Sequence, residues 1–253
     1  MSTPLTIAIV GRKGGSGKTT TTINLGGALA ARGLRVALMD LDPQASLTRL
    51  LLGGEQPAEG IGRRILEQEP LDGLAQPTAM VGVDLYPGDR SIESAALALA
   101  DNPTGALRLR KLLRPVAGYD VIVLDTPPSL GFAVNTAILA ADNAILPTAL
   151  VQQDLDALQD TIDLRDQLDE LGAARIVAIV PNAVRPYRHD TAVIAALRAR
   201  WGDLVAEPVP LSEAVKVALN RALPVVTTDA QGAAAHAYRA LAARVVDGVT
   251  THA

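Results

Sequence analysis

The chain has 253 residues, a formal net charge of −4, no cysteine and 2% aromatic residues. That length suits one large α/β domain with a substantial core, and the missing cysteines exclude a disulfide framework and any thiolate-held zinc or iron–sulfur site. The negative balance gives no global attraction to nucleic acid; no apolar run approaches the roughly 20 residues of a membrane span, and no signal-peptide pattern precedes the first strand, so a cytoplasmic protein is expected.

Thr6 to Val10 (TIAIV) is β-branched and apolar enough for a buried strand, and Thr19 to Arg32 has helical spacing without proline. Between them stands Gly11-Arg12-Lys13-Gly14-Gly15-Ser16-Gly17-Lys18-Thr19-Thr20. A glycine loop between strand and helix holds phosphates: Gly14, Gly15 and Gly17 let several N–H groups converge on one anion, and the helix N-terminus adds a favourable dipole. Lys18 is placed to reach the β- and γ-phosphates of a nucleotide, and Thr19 to offer its hydroxyl to Mg²⁺. Arg12 occupies a position where the usual phosphate-loop pattern has glycine.

Gly33 ends the turn, and Arg35 to Leu41 makes a second strand with Asp40 at its end and Asp42-Pro43-Gln44 directly after. Strand-end loops of parallel sheets are where ligands sit, so Asp40 and Asp42 are expected beside the phosphate loop, able to hold a metal's water or orient an attacking one. Capping of the helix from about Ala45 is the plain alternative for Asp42. Residues 45–82 form a variable helical region, with pieces at Ala45–Leu52 and Gly60–Glu69 split by Gly53-Gly54 and Pro57. Val83 to Tyr86 reads as a strand, and Ser91 to Ala100 and Thr104 to Leu113 as helices. Arg108, Arg110, Lys111 and Arg114 read as a solvated basic side, with nucleic-acid or partner contact the alternative.

Tyr119 to Asp125 (YDVIVLD) is a strand of the Walker B kind, whose terminal carboxylate can hold a water of a Mg²⁺ shell, and Thr126-Pro127-Pro128-Ser129 is a stiff loop behind it. Gly131 to Ala140 is expected to be a helix, Asn143 to Thr148 a strand, and Gln153 to Leu171 one long helix with acids and amides outside. Its face near Asp154 to Asp160 reads as solvated, or as a place for a partner. Ile176 to Val180 is the next strand and delivers Pro181-Asn182; Thr191–Trp201, Ser212–Leu223 and Gln231–Asp247 read as helices. From Arg185 onward eight basic residues stand against six acidic ones, while fifteen stand against twenty-one before it, so the far end is mildly basic. His189, His236 and His252 lack companions at metal-ligand spacing.

Lys13 beside Arg12 makes the loop x-K-G-G-x-G-K-T-T, and with D-x-D-P-Q from Asp40 and D-T-P-P-S from Asp125 the chain resembles the ParA/MinD family of deviant Walker A ATPases, and its ParA-type partitioning members in particular. The resemblance covers nearly the whole chain. It implies a single-domain P-loop NTPase over residues 1–253, α/β, with a mostly parallel twisted sheet flanked by helices on both faces, and ATP and Mg²⁺ as cofactors. Lys13, Gly14, Gly15, Ser16, Gly17, Lys18, Thr19 and Thr20 would contact the nucleotide, and Lys13, Lys18 and Asp42 would serve catalysis. Asp42 would position the attacking water, Thr19, Asp40 and Asp125 the metal shell, and Lys13 would reach the nucleotide of a facing subunit in an ATP-sandwich homodimer. Asn182 and Pro210 would read the adenine, although Ala183 to Asp190 departs from the commoner family sequence and a turn role for Asn182 stays open.

By the same resemblance, residues 191–247 would carry the grip on non-specific double-stranded DNA, with Lys216, Arg221 and Arg239 as candidates. A ParB-like or cargo adaptor protein would stimulate hydrolysis, and the protein would be nucleoid-associated, moving a chromosome, a plasmid or a protein assembly. The chain start leaves no room for an N-terminal helix-turn-helix, and Gly248 to Ala253 lacks the basic amphipathic helix of MinD-like proteins, so no membrane attachment is expected. A MinD-like positioning ATPase and a metabolic ATP-using enzyme of the same fold remain the alternatives.

Overall fold

In the computed structural model, which describes residues 3–250 apart from 56, 101, 103 and 130, with side chains described to residue 246, β1 (Leu5–Ile9) lies in the middle of a seven-stranded sheet. The burial of its residues explains why. Ile7 and Ile9 point to one face and Ala8 and Val10 to the other, and all four are at most 1% exposed, as expected for a strand covered on both sides. β1 pairs in parallel with β5 (Val121–Asp125) and β6 (Asn143–Thr148). Outward from β5 come β2 (Val36–Asp40), β4 (Val83–Tyr86) and β3 (Gln76–Pro77); outward from β6 comes β7 (Arg175–Pro181). Every pairing is parallel except the two-residue β3, which runs antiparallel to β4 inside the region expected to be helical and irregular. The order reverses direction at β1, the kind of switch point where open α/β sheets form a ligand crevice.

Helices cover both faces. One face carries α1 (Lys18–Ala30), α9 (Glu213–Leu219), α10 (Val225–Thr228) and α11 (Ala233–Thr250), which bury Ile23, Leu25, Val215, Val225 and Tyr238 with Ile7 and Leu38. The other carries α3 (Ile61–Glu67), α4 (Ser91–Leu99), α5 (Arg108–Leu113), α6 (Phe132–Ala140), α7 (Gln152–Gln167) and α8 (Arg188–Trp201), packed on Ala8, Ile122 and Leu124. The short α2 (Ser46–Leu51) follows β2. α1 sits so close to β2 that a Cβ on Gly26 would come within 2.7 Å of Leu38 Cδ2.

Several expected helices differ at their ends, and three of them are broken by a turn. Thr104–Leu113 opens as a 3₁₀ turn at Gly105–Leu107 before α5 begins, and Gln153–Leu171 ends at Gln167 with a 3₁₀ turn at Asp169–Leu171. Gly172, at φ 76, ends that turn. Ser212–Leu223 stops at Leu219, because the chain turns through Ala222 at φ 55 and Leu223 N–H reaches back to Ala218 O at 3.0 Å. The last helix runs three residues past Asp247, to Thr250; the tail reading for residues 251–253 lies outside the described residues. No helix among the described residues is long and apolar enough to cross a membrane.

Two of the four residues on the basic side of α5 are a correction, while Lys111 and Arg114 are exposed as expected. Arg108 donates to Leu66 O, and Arg110 to the carbonyls of Leu171 and Gly172, so these two side chains tie the ends of neighbouring elements together rather than standing solvated. Their arginine stems are half-buried on the way.

Candidate functional site

The carboxyl ends of the central strands meet where α1 begins. Gly17 is the N-cap of α1 at φ 92 and ψ 26, and Gly15 has φ 83, both left-handed conformations that glycine adopts without a Cβ penalty. At Gly17 the constraint is double, since a Cβ there would stand 1.7 Å from Asn182 Nδ2. No side chain caps α1 and no acid sits in its first turn, so its leading N–H groups and positive dipole end face the loop unopposed. Lys18, 7% exposed, donates from Nζ to Lys13 O at 3.0 Å. Burial lowers its pKa, while Asp125, Asp42 and Asp154 favour its charged form.

Asp125 faces this loop from β5. Its Oδ2 accepts from Thr19 Oγ1 at 2.7 Å and its Oδ1 from Thr22 Oγ1 at 3.0 Å. Asp40, its register partner on β2, is fully buried and uses both oxygens on the loop that follows it. Oδ1 accepts from Asp42 N–H at 3.0 Å, and Oδ2 from Thr48 N–H at 2.9 Å and Thr48 Oγ1 at 2.7 Å. Thr48 Oγ1 in turn accepts from Gly88 N–H at 2.9 Å, extending the network to the loop after β4. Asp42 is half-buried, holds Gln44 N–H at 2.8 Å, and lines a cleft of about 330 Å³ with Gly14, Gly15, Lys18, Thr19 and Pro128.

The residues fit a phosphate-bound divalent cation. Among the described residues no group of three or more His, Cys, Asp or Glu could hold a metal, and a divalent cation bound to phosphate takes few protein ligands, completing its shell with phosphate oxygens and water. Thr19 and Asp125 supply hard oxygen donors at the rim of the loop, and Asp40, with both oxygens engaged, shapes the loop between them.

Burial raises the pKa of both acids, and for Asp125 the neighbouring Asp40 charge adds to the effect. The native state therefore binds more protons than the unfolded chain above the ordinary aspartate value of 3.8, so the pair's contribution to stability falls as pH rises from there toward neutrality. In nucleotide-free protein followed by calorimetry, the melting temperature of the wild type relative to Asp125→Asn should decline through that window. A difference that is flat or rises with pH contradicts the shifted pair.

Lys13 turns away from the cleft. Its Nζ donates to Asp154 Oδ2 at 2.8 Å and to Gln153 Oε1 at 3.3 Å, both on α7 of the same chain. Asp154 is 5% exposed, which corrects the solvated reading at that residue, while Asp156 on the same helix is exposed as expected. Arg12 pairs with Asp160 on the same helix, so two adjacent loop residues are bound to α7. Asn182 at the end of β7 donates Nδ2 to Ser16 O at 3.0 Å and accepts Ala183 N–H at 2.9 Å, placing its amide on the phosphate loop. Pro210 pairs with Val184 in an isolated bridge beside that strand end.

The remaining candidates lie apart from this cleft. Lys216 on α9 is exposed and paired with Glu213 at 3.1 Å, Arg221 is exposed in the turn after α9, and Arg239 on α11 is exposed and donates to Ala230 O at 2.6 Å. Sequence reasoning missed Thr22, Thr48 and Asp154. Thr22 carries a legible signal, one turn after Thr19 on the same helix face. The other two depend on tertiary contacts that local patterns do not carry.

A left-handed glycine turn opening a helix at the centre of a parallel sheet, with a buried lysine inside it and a strand-end carboxylate across from it, defines a P-loop nucleotide-binding site. Residues 5–172 match the family model described as an AAA domain, and the chain is 37% identical over 254 residues to the chromosome-partitioning ATPase Soj of Thermus thermophilus, covering 95% of this chain and 94% of that one. The chain belongs to the Soj/ParA family of chromosome-partitioning ATPases. It is also 31% identical to the chromosome partitioning protein ParA of Caulobacter vibrioides, covering 95% of this chain and 93% of that one. Among solved structures, a complex of Cyanothece McdA with ATP superposes with a TM-score of 0.87 at 24% identity over 98% of both chains. Cobyrinic acid a,c-diamide synthase of Mycobacterium smegmatis, bound to ADP and magnesium, reaches 0.83 at 23% identity over 99% and 97%. At these identities the two structures support the fold.

Proposed function

We propose that this chain is an ATP-dependent dimerising ATPase that binds DNA without sequence preference while ATP is held, and lets go when a partner protein stimulates hydrolysis. ATP with Mg²⁺ is the cofactor pair that the cleft suits, and it would supply the phosphoanhydride whose cleavage resets the cycle. The loop N–H groups from Gly14 to Thr20 and Lys18 would hold the phosphates, while Thr19 and Asp125 carry the metal with Asp40 shaping the loop. Asp42 would orient the attacking water, and Asn182 and Pro210 border the side where the base would lie. The observation that carries the reading is Lys13: a second loop lysine beside Lys18, held outside the cleft by Asp154, is a charge available to a facing subunit. Two-fold symmetry would then place each Lys13 at the other subunit's phosphates.

Lys216, Arg221 and Arg239 are the proposed contacts to phosphates of double-stranded DNA, consistent with their exposure and with the mildly basic stretch they belong to. Acidic residues on α7 outside the Lys13 and Arg12 pairs are available to a ParB-like or cargo adaptor. A cytoplasmic, nucleoid-associated location follows from this reading. The test is anisotropy of unrelated duplexes titrated with protein in ATP, ADP and no nucleotide: binding should appear in ATP alone and be alike for all sequences. Arg239→Glu should weaken every duplex alike, by about tenfold, and lower the salt slope by about one. Unchanged affinity and slope would move the DNA surface elsewhere. ATP consumption driven by a small carboxylic acid, with no DNA binding, would favour a synthetase of this fold instead.

A further inference from the structure

Asn24 is fully buried in the middle of α1, where asparagine is a poor helix former. Both ends of its amide are used. Nδ2 donates to Thr20 O at 2.8 Å, and Oδ1 accepts Val225 N–H at 2.7 Å, across 201 residues of chain. Val225 is the first residue of α10, so Asn24 satisfies one of the N–H groups that a helix start leaves unpaired. One turn along α1, Gly27 lies so close to Pro224 that a Cβ would stand 2.3 Å from Pro224 Cγ. Nearer the loop, the buried hydroxyls of Thr21 and Tyr238 face each other from α1 and α11 without a hydrogen bond of ordinary geometry. One side of α1 is therefore seated on the segment from Pro224 to Tyr238.

The other end of α1 carries Lys18 and Thr19. In the described structure Lys18 Nζ rests on Lys13 O and Thr19 Oγ1 on Asp125. Turning Lys18 to a phosphate means leaving Lys13 O, and Thr20 O, which Asn24 holds, lies two residues along the same turn. Of the two bonds, the one to Thr20 O stays within α1 and fixes the orientation of the amide, and the one from Val225 N–H ties α1 to the start of α10, adding a directional contact to the close packing. Just before Pro224 the chain turns, closed by Arg221 N–H and Leu223 N–H on Ala218 O, both at 3.0 Å, which holds Arg221 and α9 next to the start of α10.

We propose that Asn24 is a positioning residue that couples the phosphate loop to the basic segment containing Lys216 and Arg221, by gripping the first turn of α1 and the start of α10 at once. The proposal rests on the reading of that segment as the DNA surface. It deepens that reading by naming the contact through which bound nucleotide controls it.

Amide hydrogen exchange over residues 213–228, with and without ATP–Mg²⁺, tests it in the wild type, Asn24→Ala and Val225→Pro. The alanine leaves Val225 N–H unpaired in the core. The proline removes that N–H instead, at a helix position that tolerates proline and after a residue whose ψ of 149 suits a following proline. In the wild type, ATP should change exchange in this segment by about tenfold. Both variants should bind ATP within about twofold of wild type yet lose that response, with ATP-dependent duplex affinity falling by about the same tenfold. A wild-type segment indifferent to ATP, a variant that keeps the full response, or loss of ATP binding in both variants would overturn the coupling. ATP-linked exchange that needs Asn24, in a wild type that binds no DNA, would uphold the coupling and remove the DNA surface.

Discussion

Lys13→Ala is expected to bind ATP and remain monomeric, with dimer formation weakened by two orders of magnitude or more. In the free chain this lysine is held at 2.8 Å by an aspartate whose side chain is 4% exposed. Joining a second subunit means exchanging that carboxylate for the phosphates across the interface, a trade between two strong anionic sites. Removing one partner of a desolvated charge contact at an interface costs about 2–5 kcal/mol, and two-fold symmetry makes the loss occur twice per dimer. The substitution also strands Asp154 without its cation, at a cost to stability that the 36% exposure of Lys13 keeps below that of breaking a fully buried pair. The double variant Lys13→Ala/Asp154→Asn separates the two effects: it should recover thermal stability while staying monomeric in ATP. Normal ATP-dependent dimerisation of Lys13→Ala would end the role assigned to this lysine in a facing subunit.

Asp42→Ala is expected to do the converse, keeping the ATP-dependent dimer and slowing hydrolysis by about 10²–10⁴-fold, the range of a positioned group that acts on the attacking water. Its place in the cleft, half-buried and with one oxygen on Gln44 N–H, suits a side chain that acts on a ligand rather than one that holds the fold. Asp40 supplies the contrast. Three donors converge on its buried oxygens, so Asp40→Ala should lower the melting temperature markedly and impair nucleotide binding before any effect on chemistry can be read. Single-turnover phosphate release from preformed ATP complexes, run beside light scattering, measures both. An Asp42→Ala protein that hydrolyses normally, or cannot dimerise, contradicts the assignment.

The sheet was legible because its strands are buried on both faces: IAIV within TIAIV and VIVL within YDVIVLD are continuous apolar runs, and parallel strands inside an α/β core take that form. The phosphate loop was legible because its chemistry needs glycine and lysine at fixed spacing within ten residues. What stayed hidden depends on contacts between distant parts of the chain. Asp154 looked like one more acid on a polar helix, and only the fold brings it across 141 residues to Lys13. Arg108 and Arg110 looked like a charged surface because a carbonyl at another element's end leaves no mark in sequence. Ser212–Leu223 looked like one helix because Ala222, a good helix former, occupies the left-handed position that usually calls for glycine.

Arg12 belongs to both groups. Its departure from glycine was plain in the sequence, while its partner, Asp160 on α7, was not. With Lys13 it ties the loop to α7 at two adjacent points, so the state of that helix and the state of the loop are linked in the free chain. A partner protein that binds the acidic face of α7 would therefore act beside the loop.

In the proposed cycle the loop is half of a two-subunit site. Light scattering on the wild-type protein, with ATP–Mg²⁺ under conditions of slow hydrolysis, measures this directly. The expected mass is twice the 26.3 kDa of one chain in ATP and 26.3 kDa in ADP or without nucleotide. A mass of 26.3 kDa in every condition, with ATP binding confirmed in the same sample, would contradict it.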